Sequence, residues 1–235
     1  MTNELWWFVM MAVNFLAVML VYRLWGKIGL FAWMPLSVMM ANVQVIKLVD
    51  LFGIGATLGN IVYATGFLVT DILSENHGKK EATQAVWIGF FSLLAMTLIM
   101  TLALKFTPSA DDFAQPALET IFTVMPRLAF ASMVAYLLSQ GHDVWAFHFW
   151  KKRTQGKWLW LRNNASTMVS QLLDSVVFTT LAFYGTVPTN VFWQLVISTY
   201  VLKFLVAALD TPFVYWAQHM KRQDKVGTLT KEFTL

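Results

Sequence analysis

Seven long apolar segments dominate the sequence, and each is about long enough to cross a lipid bilayer as a helix. They cover residues 5–22, 28–48, 58–73, 83–106, 120–149, 165–184 and 191–217. Only 13% of the 235 residues are charged, whereas a soluble domain carries roughly 25%. The pattern predicts an all-α polytopic membrane protein, folded as a single transmembrane domain over residues 1–235, with the lipid bilayer as a partner.

Basic residues alternate with the predicted spans and therefore predict an orientation. Those that follow spans one, three, five and seven are Arg23, Lys27, Lys79, Lys80, Lys151, Lys152, Arg153, Lys157, Arg162, Lys221, Arg222, Lys225 and Lys231. The opposite loops hold acidic residues and two span-end lysines: Asp111, Asp112, Glu119, Lys47 and Lys105. The positive-inside rule then places the N-terminus outside and the C-terminus in the cytoplasm. Because the net charge of +4 reflects topology, we expect no nucleic-acid partner.

Four ionisable residues lie inside the apolar segments: Asp71, Arg127, Asp174 and Lys203. A charge at bilayer depth is costly, so such residues face a polar cavity, a substrate path or each other. Asp174 and Lys203 both fall near mid-membrane on spans joined by a short turn, and we expect them to pair. Arg127 and Asp71 fall at different depths, so a direct bond between them is not expected.

Polar residues form stripes on three consecutive spans, because their spacing of three or four residues keeps them on one helix face. The stripes are Ser132, Tyr136, Gln140 and Asp143; Asn164, Thr167, Gln171, Asp174 and Phe178; and Lys203 with Asp210. Facing inward, they would line a polar interior. The alternative is that they only hydrogen-bond to one another and hold the helices together.

Sequence motifs of catalysis and nucleotide binding are absent. The chain has no His-Glu-x-x-His, Gly-x-Ser-x-Gly, P-loop or dinucleotide fingerprint, and it has no cysteine. We therefore expect a protein that is not an enzyme and that has no cofactor and no metal site. An importer driven by ATP would need separate ATPase subunits.

Three ordered blocks of sequence carry a family resemblance. They are Thr-Asp-Ile-Leu-Ser-Glu-Asn-His-Gly-Lys-Lys at 70–80, the segment 126–144, and the segment 159–167 followed by Gln171, Asp174, Phe178 and residues 183–185. Together they resemble the bacterial queuosine precursor transporter family, also called vitamin uptake transporters, over roughly residues 30–218. His77 stands where the family's signature usually has an aromatic residue.

The resemblance implies an importer of the bacterial inner membrane that takes up 7-cyano-7-deazaguanine, 7-aminomethyl-7-deazaguanine or both. It also implies a six-helix bundle similar to the substrate-binding subunits of energy-coupling-factor transporters. Spans two to seven would form this bundle, and span one would be an added N-terminal helix. The partner is a small-molecule base, and a homodimer is possible for an importer of this size.

A 7-deazaguanine base is planar, with donors at N1 and the 2-amino group and an acceptor at O6. A carboxylate can accept from both donors, an amide or a cation can donate to O6, and an aromatic ring can stack. The candidates are Asp71, Glu75 or Asp174 for the donor edge, Asn42, Arg127, Gln140 and Gln171 for the acceptor edge, and Phe67 or Phe178 for stacking, with Tyr136 on the same stripe as Gln140. Lys203 would neutralise Asp174 in the empty state.

Three other functions compete with this interpretation. A substrate-binding subunit of an ATP-driven importer for another planar vitamin would copurify with ATPase subunits. A microbial rhodopsin would use the mid-membrane lysine for retinal, but it would have an aspartate four residues before that lysine, where this chain has Thr199. A structural assembly factor would bind no small molecule.

Overall fold

The computed structural model describes the backbone of residues 2–155 and 159–229, and their side chains except at positions 147, 159–165, 167 and 207. Within these residues eight helices and one hairpin follow each other along the chain. The order is α1 (Asn3–Trp25), α2 (Lys27–Gln44), β1 (Leu48–Leu51), β2 (Ile54–Thr57), α3 (Asn60–Asn76), α4 (Lys79–Ala103), α5 (Gln115–Phe122), α6 (Met125–Arg153), α7 (Leu159–Phe183) and α8 (Thr189–Arg222). The fold is mainly helical, as the sequence predicts.

Four stretches of the described residues are apolar and long enough to cross a membrane by length and composition. They are α1, α4, the stretch Gln115–Arg153 that contains α5 and α6, and α8. The helices α2 and α3 carry buried polar side chains, which lower their hydropathy. The part of α7 from Met168 to Phe183 is apolar but shorter than a membrane span. Seven spans therefore stay a prediction for the chain.

The hairpin between α2 and α3 corrects the all-α expectation for residues 48–57. β1 and β2 pair antiparallel with Leu48 opposite Thr57 and Leu51 opposite Ile54. Phe52 and Gly53 form the turn, and both have positive φ angles of 53° and 77°. The chain start lies against this turn, because Glu4 Oε1 accepts a hydrogen bond of 3.1 Å from the Phe52 amide.

Span five is shorter at its beginning than the sequence predicts, because the short helix α5 ends at Phe122 and α6 begins only at Met125. Pro126 stands in the first turn of α6, where a missing amide hydrogen costs nothing and the fixed φ favours a helix start. Residues 120–149 form one predominantly apolar segment in the sequence, so hydropathy does not predict the break between α5 and α6.

The two ends of the bundle differ in character. One end, called the basic end, carries Lys79, Lys80, Lys151, Lys152, Arg153, Lys221 and Arg222. The other, called the hairpin end, carries β1, β2 and the first residues of α1. Lys157, Lys231 and the side chain of Arg162 lie outside the described part of the chain, so the placement of these three positive charges stays a prediction.

A continuous apolar core joins α1, α2, α3, α4 and α8, with Phe15, Tyr22, Leu30, Leu68 and Leu93 fully or almost fully buried. The opposite faces of α1 and α4 expose large apolar side chains, for which a lipid environment is the favourable surrounding. α6, α7 and the middle of α8 close the other side of the bundle around the polar interior.

Candidate functional site

The centre of the polar interior is an ion pair between Asp174 on α7 and Lys203 on α8. Lys203 Nζ donates to Asp174 Oδ2, and the two residues are 3% and 0% exposed, respectively. The other carboxylate oxygen accepts hydrogen bonds from Tyr63 Oη at 2.6 Å and from Ser139 Oγ at 3.3 Å. The predicted pair is confirmed, and four helices meet at this carboxylate.

Two aromatic rings flank the ammonium group of Lys203. Its Nζ lies 4.1 Å from the ring centroid of Tyr63 and 5.7 Å from that of Phe178. Both distances are within the range of cation–π attraction, which is stronger where water is excluded. The ring of Tyr63 therefore supports the cation while its hydroxyl group binds the anion.

A small cavity, called the outer chamber, lies beside this pair in the part of the bundle nearest the hairpin. It is lined by Ala41, Asn42, Val45, Gly59, Asn60, Tyr63, Ser132, Phe178 and Lys203. Its volume of about 20 Å³ is room for about one water molecule. A bicyclic base therefore enters only when lining side chains move apart.

Close contact between α2 and α3 shapes one wall of the outer chamber. A Cβ atom at Gly59 would lie 2.5 Å from the backbone oxygen of Ala41, a distance that real Cβ atoms do not show. Glycine at this position lets the start of α3 approach α2. Gly55, four residues earlier in β2, makes no comparable backbone contact.

Hydrogen bonds hold the amide groups of the outer chamber in place. Asn42 Nδ2 donates to Val38 O at 2.9 Å, and its Oδ1 accepts from Ser132 Oγ at 2.7 Å. Asn60 Nδ2 donates to Thr57 O at 3.0 Å, which ties the start of α3 to the hairpin. These bonds fix the orientation of both amide groups in the wall of the chamber.

Phe67 and Tyr136, two of the predicted site residues, belong to an aromatic cluster behind the chamber. The rings of Tyr63, Phe67 and Tyr136 meet edge to face at 5.9 Å, and Phe90 packs on Tyr136 at 5.0 Å. Phe67 is fully buried. Neither Phe67 nor Tyr136 lines the outer chamber. Both pack against Tyr63, which does, and so help to hold its ring in place.

The carboxylates predicted on α3 lie toward the basic end, away from the outer chamber. Asp71 is 4% exposed and lies within electrostatic range of Asp143, Asp210 and Glu75. Glu75 accepts a 3.0 Å hydrogen bond from Gln218 and lies 3.9 Å from Lys151 Nζ. The interior thus contains two polar regions. Asp174 does not itself line the chamber, but it bonds to Lys203 and Tyr63, which do.

Three predicted contacts to the acceptor edge of the base lie elsewhere. Arg127 is exposed and donates to the backbone oxygens of Leu181 at 2.9 Å and Tyr184 at 2.8 Å, which caps the end of α7. Gln140 lines a separate cavity between α4 and α6. Gln171 is fully buried one turn from Asp174, and neither of its side-chain polar atoms has a partner among the described residues.

The structure also brings residues to the site that the candidate set omits: Asn60, Tyr63, Ser132 and Ser139. A signal for Tyr63 is present in the sequence, because Tyr63, Phe67 and Asp71 follow each other at four-residue spacing on α3. The position of Asn60 depends on its hydrogen bond to the hairpin. The spacing of apolar residues in the sequence does not predict that contact. Asn164 and Thr167, predicted to extend the stripe on α7, have side chains outside the described set.

Outside the spans, His77 at the end of α3 forms a short polar chain with α1. Asn76 Nδ2 donates to Tyr22 Oη at 2.9 Å, and that hydroxyl group lies 3.1 Å from His77 Nε2. Partial burial lowers the pKa of His77 below its ordinary value, and the positive charges of Lys221 and Lys27 lower it further, against a smaller opposite effect of Glu81. Which of the two groups donates depends on the tautomer of the neutral imidazole.

The fold and the site define a helical membrane protein with several spanning helices and a polar cavity closed by a buried ion pair. Residues 57–217 match the model of a family described as "Putative vitamin uptake transporter". A "Probable queuosine precursor transporter" of Bacillus subtilis (strain 168) is 43% identical over 226 residues, 96% of this chain and 99% of that protein. The chain therefore belongs to this transporter family.

A more distant relative covers part of the chain. The "Queuosine precursor transporter" of Escherichia coli (strain K12) is 28% identical over 136 residues, which are 58% of this chain and 59% of that protein. No solved structure matches the chain.

Proposed function

We propose that this protein imports queuosine precursors, the bases 7-cyano-7-deazaguanine, 7-aminomethyl-7-deazaguanine or both, through the outer chamber. The names of its relatives support this substrate class. The observation that carries the proposal is the buried pair of Asp174 and Lys203, because Lys203 lines a chamber that is also lined by two amides and by the rings of Tyr63 and Phe178. An ionised pair at this depth is costly unless it serves a polar ligand or its path.

The chamber offers a complementary group for each edge of a deazaguanine. The carboxylate of Asp174 accepts from N1–H and the 2-amino group, and the amide of Asn42 or the ammonium of Lys203 donates to O6. Phe178 stacks on the ring. Because Lys203 and Tyr63 hold both oxygens of Asp174 in the empty state, the base must take their place as it binds.

We also propose that the basic end faces the cytoplasm of a bacterial cell. Its lysines and arginines satisfy the positive-inside rule when the hairpin end lies outside. The outer chamber, which is nearer the hairpin end, then receives the base from the outside. Release at the basic end would require the region around Asp71 and Asp143 to open after the pair of Asp174 and Lys203 separates.

Binding of 7-cyano-7-deazaguanine to the purified protein tests the assignment of Asp174. Asp174→Asn removes the second acceptor and the charge, so affinity should fall by about 100-fold or more, as for the loss of charge-assisted hydrogen bonds. Asp71→Asn makes the same chemical change outside the chamber and should leave affinity within about threefold. If Asp71→Asn lost binding and Asp174→Asn did not, the donor edge of the base would be bound by Asp71 on α3 and not by Asp174.

Uptake of the labelled base by cells that make the protein tests transport itself, and a proton uncoupler separates energised from passive entry. Uptake should depend on the intact protein and should fall to background with Asp174→Asn at equal protein level in the membrane. Binding without uptake would mean that the chamber recognises the base for another purpose.

A further inference from the structure

A second cavity, called the lateral cleft, opens between α4 and α6. Its volume is about 230 Å³, and it is lined by Lys79, Ala82, Thr83, Val86, Trp87, Leu137, Gln140, Gly141 and Val144. It has no lining residue in common with the outer chamber. The function proposed above leaves this cleft without a role.

Polarity in the lateral cleft changes with depth in the membrane. Lys79 and Val144 lie nearest the basic end, because α4 begins there and α6 ends there. Trp87 lies about 12 Å deeper than Lys79, at a rise of about 1.5 Å for each residue. Trp87 and Leu137 are 59% and 42% exposed, so the deep part is apolar and opens to the side of the bundle.

One buried side chain in the lateral cleft lacks a partner. Gln140 is 4% exposed, and neither its Nε2 nor its Oε1 has a hydrogen-bond partner among the described residues. A buried amide without partners costs free energy and calls for an explanation. A ligand that offers both an acceptor and a donor at this depth would satisfy it.

The mouth of the lateral cleft is positively charged. Lys79 is exposed there, and none of the nine residues that line the cleft is acidic. His148 lies within electrostatic range of both Lys79 and Lys151, so a second lysine is close by. Lys151 forms an ion pair with Glu75, with 3.9 Å between Nζ and Oε2. Lys79 is therefore the main cation that a ligand in the cleft would meet.

We propose that the lateral cleft binds an anionic phospholipid of the leaflet at the basic end. Lys79 pairs with the phosphate, and an acyl chain lies along Trp87 and Leu137. Thr83 Oγ1 and Gln140 Nε2 donate to ester oxygens, and Gln140 Oε1 accepts from a hydroxyl group of a glycerol head group. The order of charge, polar groups and apolar surface in the cleft is the order found along such a lipid. Basic pockets between membrane helices are known to select anionic head groups.

Lipid binding to the purified full chain in detergent tests this site directly. Native mass spectrometry would compare short-chain phosphatidylglycerol with phosphatidylcholine of the same chain length. Lys79→Gln should weaken phosphatidylglycerol binding about fivefold, as expected for one lysine near a charged membrane surface. The matched control Lys80→Gln, an exposed lysine outside the cleft lining, should change it by less than about twofold.

Gly141→Leu tests the cleft without changing any charge. A Cβ at Gly141 meets nothing within 4 Å, so a larger side chain fits and fills the space that the acyl chain would occupy. Binding of phosphatidylglycerol should be lost while the thermal unfolding temperature is retained or rises, because a helical glycine is replaced.

Equal effects of Lys79→Gln and Lys80→Gln, or equal binding of the two lipids, would overturn the proposal. Displacement of phosphatidylglycerol by 7-cyano-7-deazaguanine would also overturn it, because the cleft would then belong to the path of the base. These results do not depend on transport, so failure of the lipid site and failure of the importer are distinguishable.

Discussion

Removing either partner of the ion pair between Asp174 and Lys203 should destabilise the protein, and removing both should not. The pair is almost completely buried. Loss of one partner of such a pair typically costs about 3–5 kcal/mol, because the other charge is left uncompensated. Replacement of both partners by neutral side chains is often neutral or stabilising.

The surroundings of the pair place each single variant at the lower end of that range. After Asp174→Asn the ammonium of Lys203 keeps the ring of Tyr63 at 4.1 Å, a cation–π contact of about 1–2 kcal/mol. After Lys203→Met the carboxylate keeps the hydroxyl donors of Tyr63 and Ser139, and hydrogen bonds to charged groups contribute about 1.5–3 kcal/mol. We expect about 3 kcal/mol for each single variant and, because the double variant should unfold near the parent, a coupling energy of about 6 kcal/mol.

Thermal unfolding in one detergent, followed by the fluorescence of the 11 tryptophans, measures this coupling. At about 2–4 °C for each kcal/mol, the single variants should unfold about 6–12 °C lower and the double variant near the parent. The partly exposed pair of Lys27 and Glu81, at 3.2 Å with side chains 43% and 26% exposed, is the control and should couple by less than about 1 kcal/mol. Additive losses at the buried pair would refute the reasoning.

Uptake by the same variants separates a structural pair from a transport pair. The Asp174→Asn/Lys203→Met double variant should fold but should not import the base, because the donors N1–H and the 2-amino group lose their carboxylate. Full uptake by the double variant would mean that the pair only stabilises the bundle.

Three further changes test other parts of the structure. Gly59→Ala forces a clash with the backbone of Ala41 and should lower both base binding and the unfolding temperature, whereas Gly55→Ala in the hairpin should change neither by much. Because the pKa of His77 is lowered on folding, stability should be full above its ordinary value of 6.5 and should fall as the pH drops below it, and His77→Gln should remove this dependence in unfolding measured between pH 5 and 8. Arg127→Met should cost about 1–2 kcal/mol of stability through the lost cap of α7 without a loss of base affinity, so a large loss of affinity at unchanged stability would identify a direct contact with the base.

Composition and periodicity predict the helical membrane fold, and depth along the spans predicts the central pair. Asp174 and Lys203 could be matched because their positions on adjacent antiparallel spans fix their heights in the bilayer. The hairpin at 48–57 could not be predicted in the same way. Its residues continue the apolar character of span two, and the hairpin is held by contacts that are distant in sequence, with the start of α1 and with α8.

The two polar regions of the interior could not be separated from the sequence, because height alone does not tell which helices a side chain faces. Asp71 and Asp174 are both buried carboxylates, and their helices α3 and α7 meet where Tyr63 donates to Asp174. The outer chamber lies beside the Asp174–Lys203 pair, and the close contact of α2 and α3 at Gly59 shapes its wall. That contact depends on a backbone distance, which hydropathy does not report.

Ser132, Tyr136 and Gln140 on α6 contact different parts of the structure, and the geometry of the helix explains why. A helix turns about 100° for each residue, so a step of four residues overshoots a full turn by about 40°. Two such steps place Gln140 about 80° around the helix from Ser132. Ser132 therefore contacts Asn42 on α2, Tyr136 packs against Phe90 on α4, and Gln140 reaches the cleft beside α4. A polar stripe at strict four-residue spacing thus winds from one cavity to the next, which is why one such stripe can serve both the proposed base chamber and the proposed lipid site.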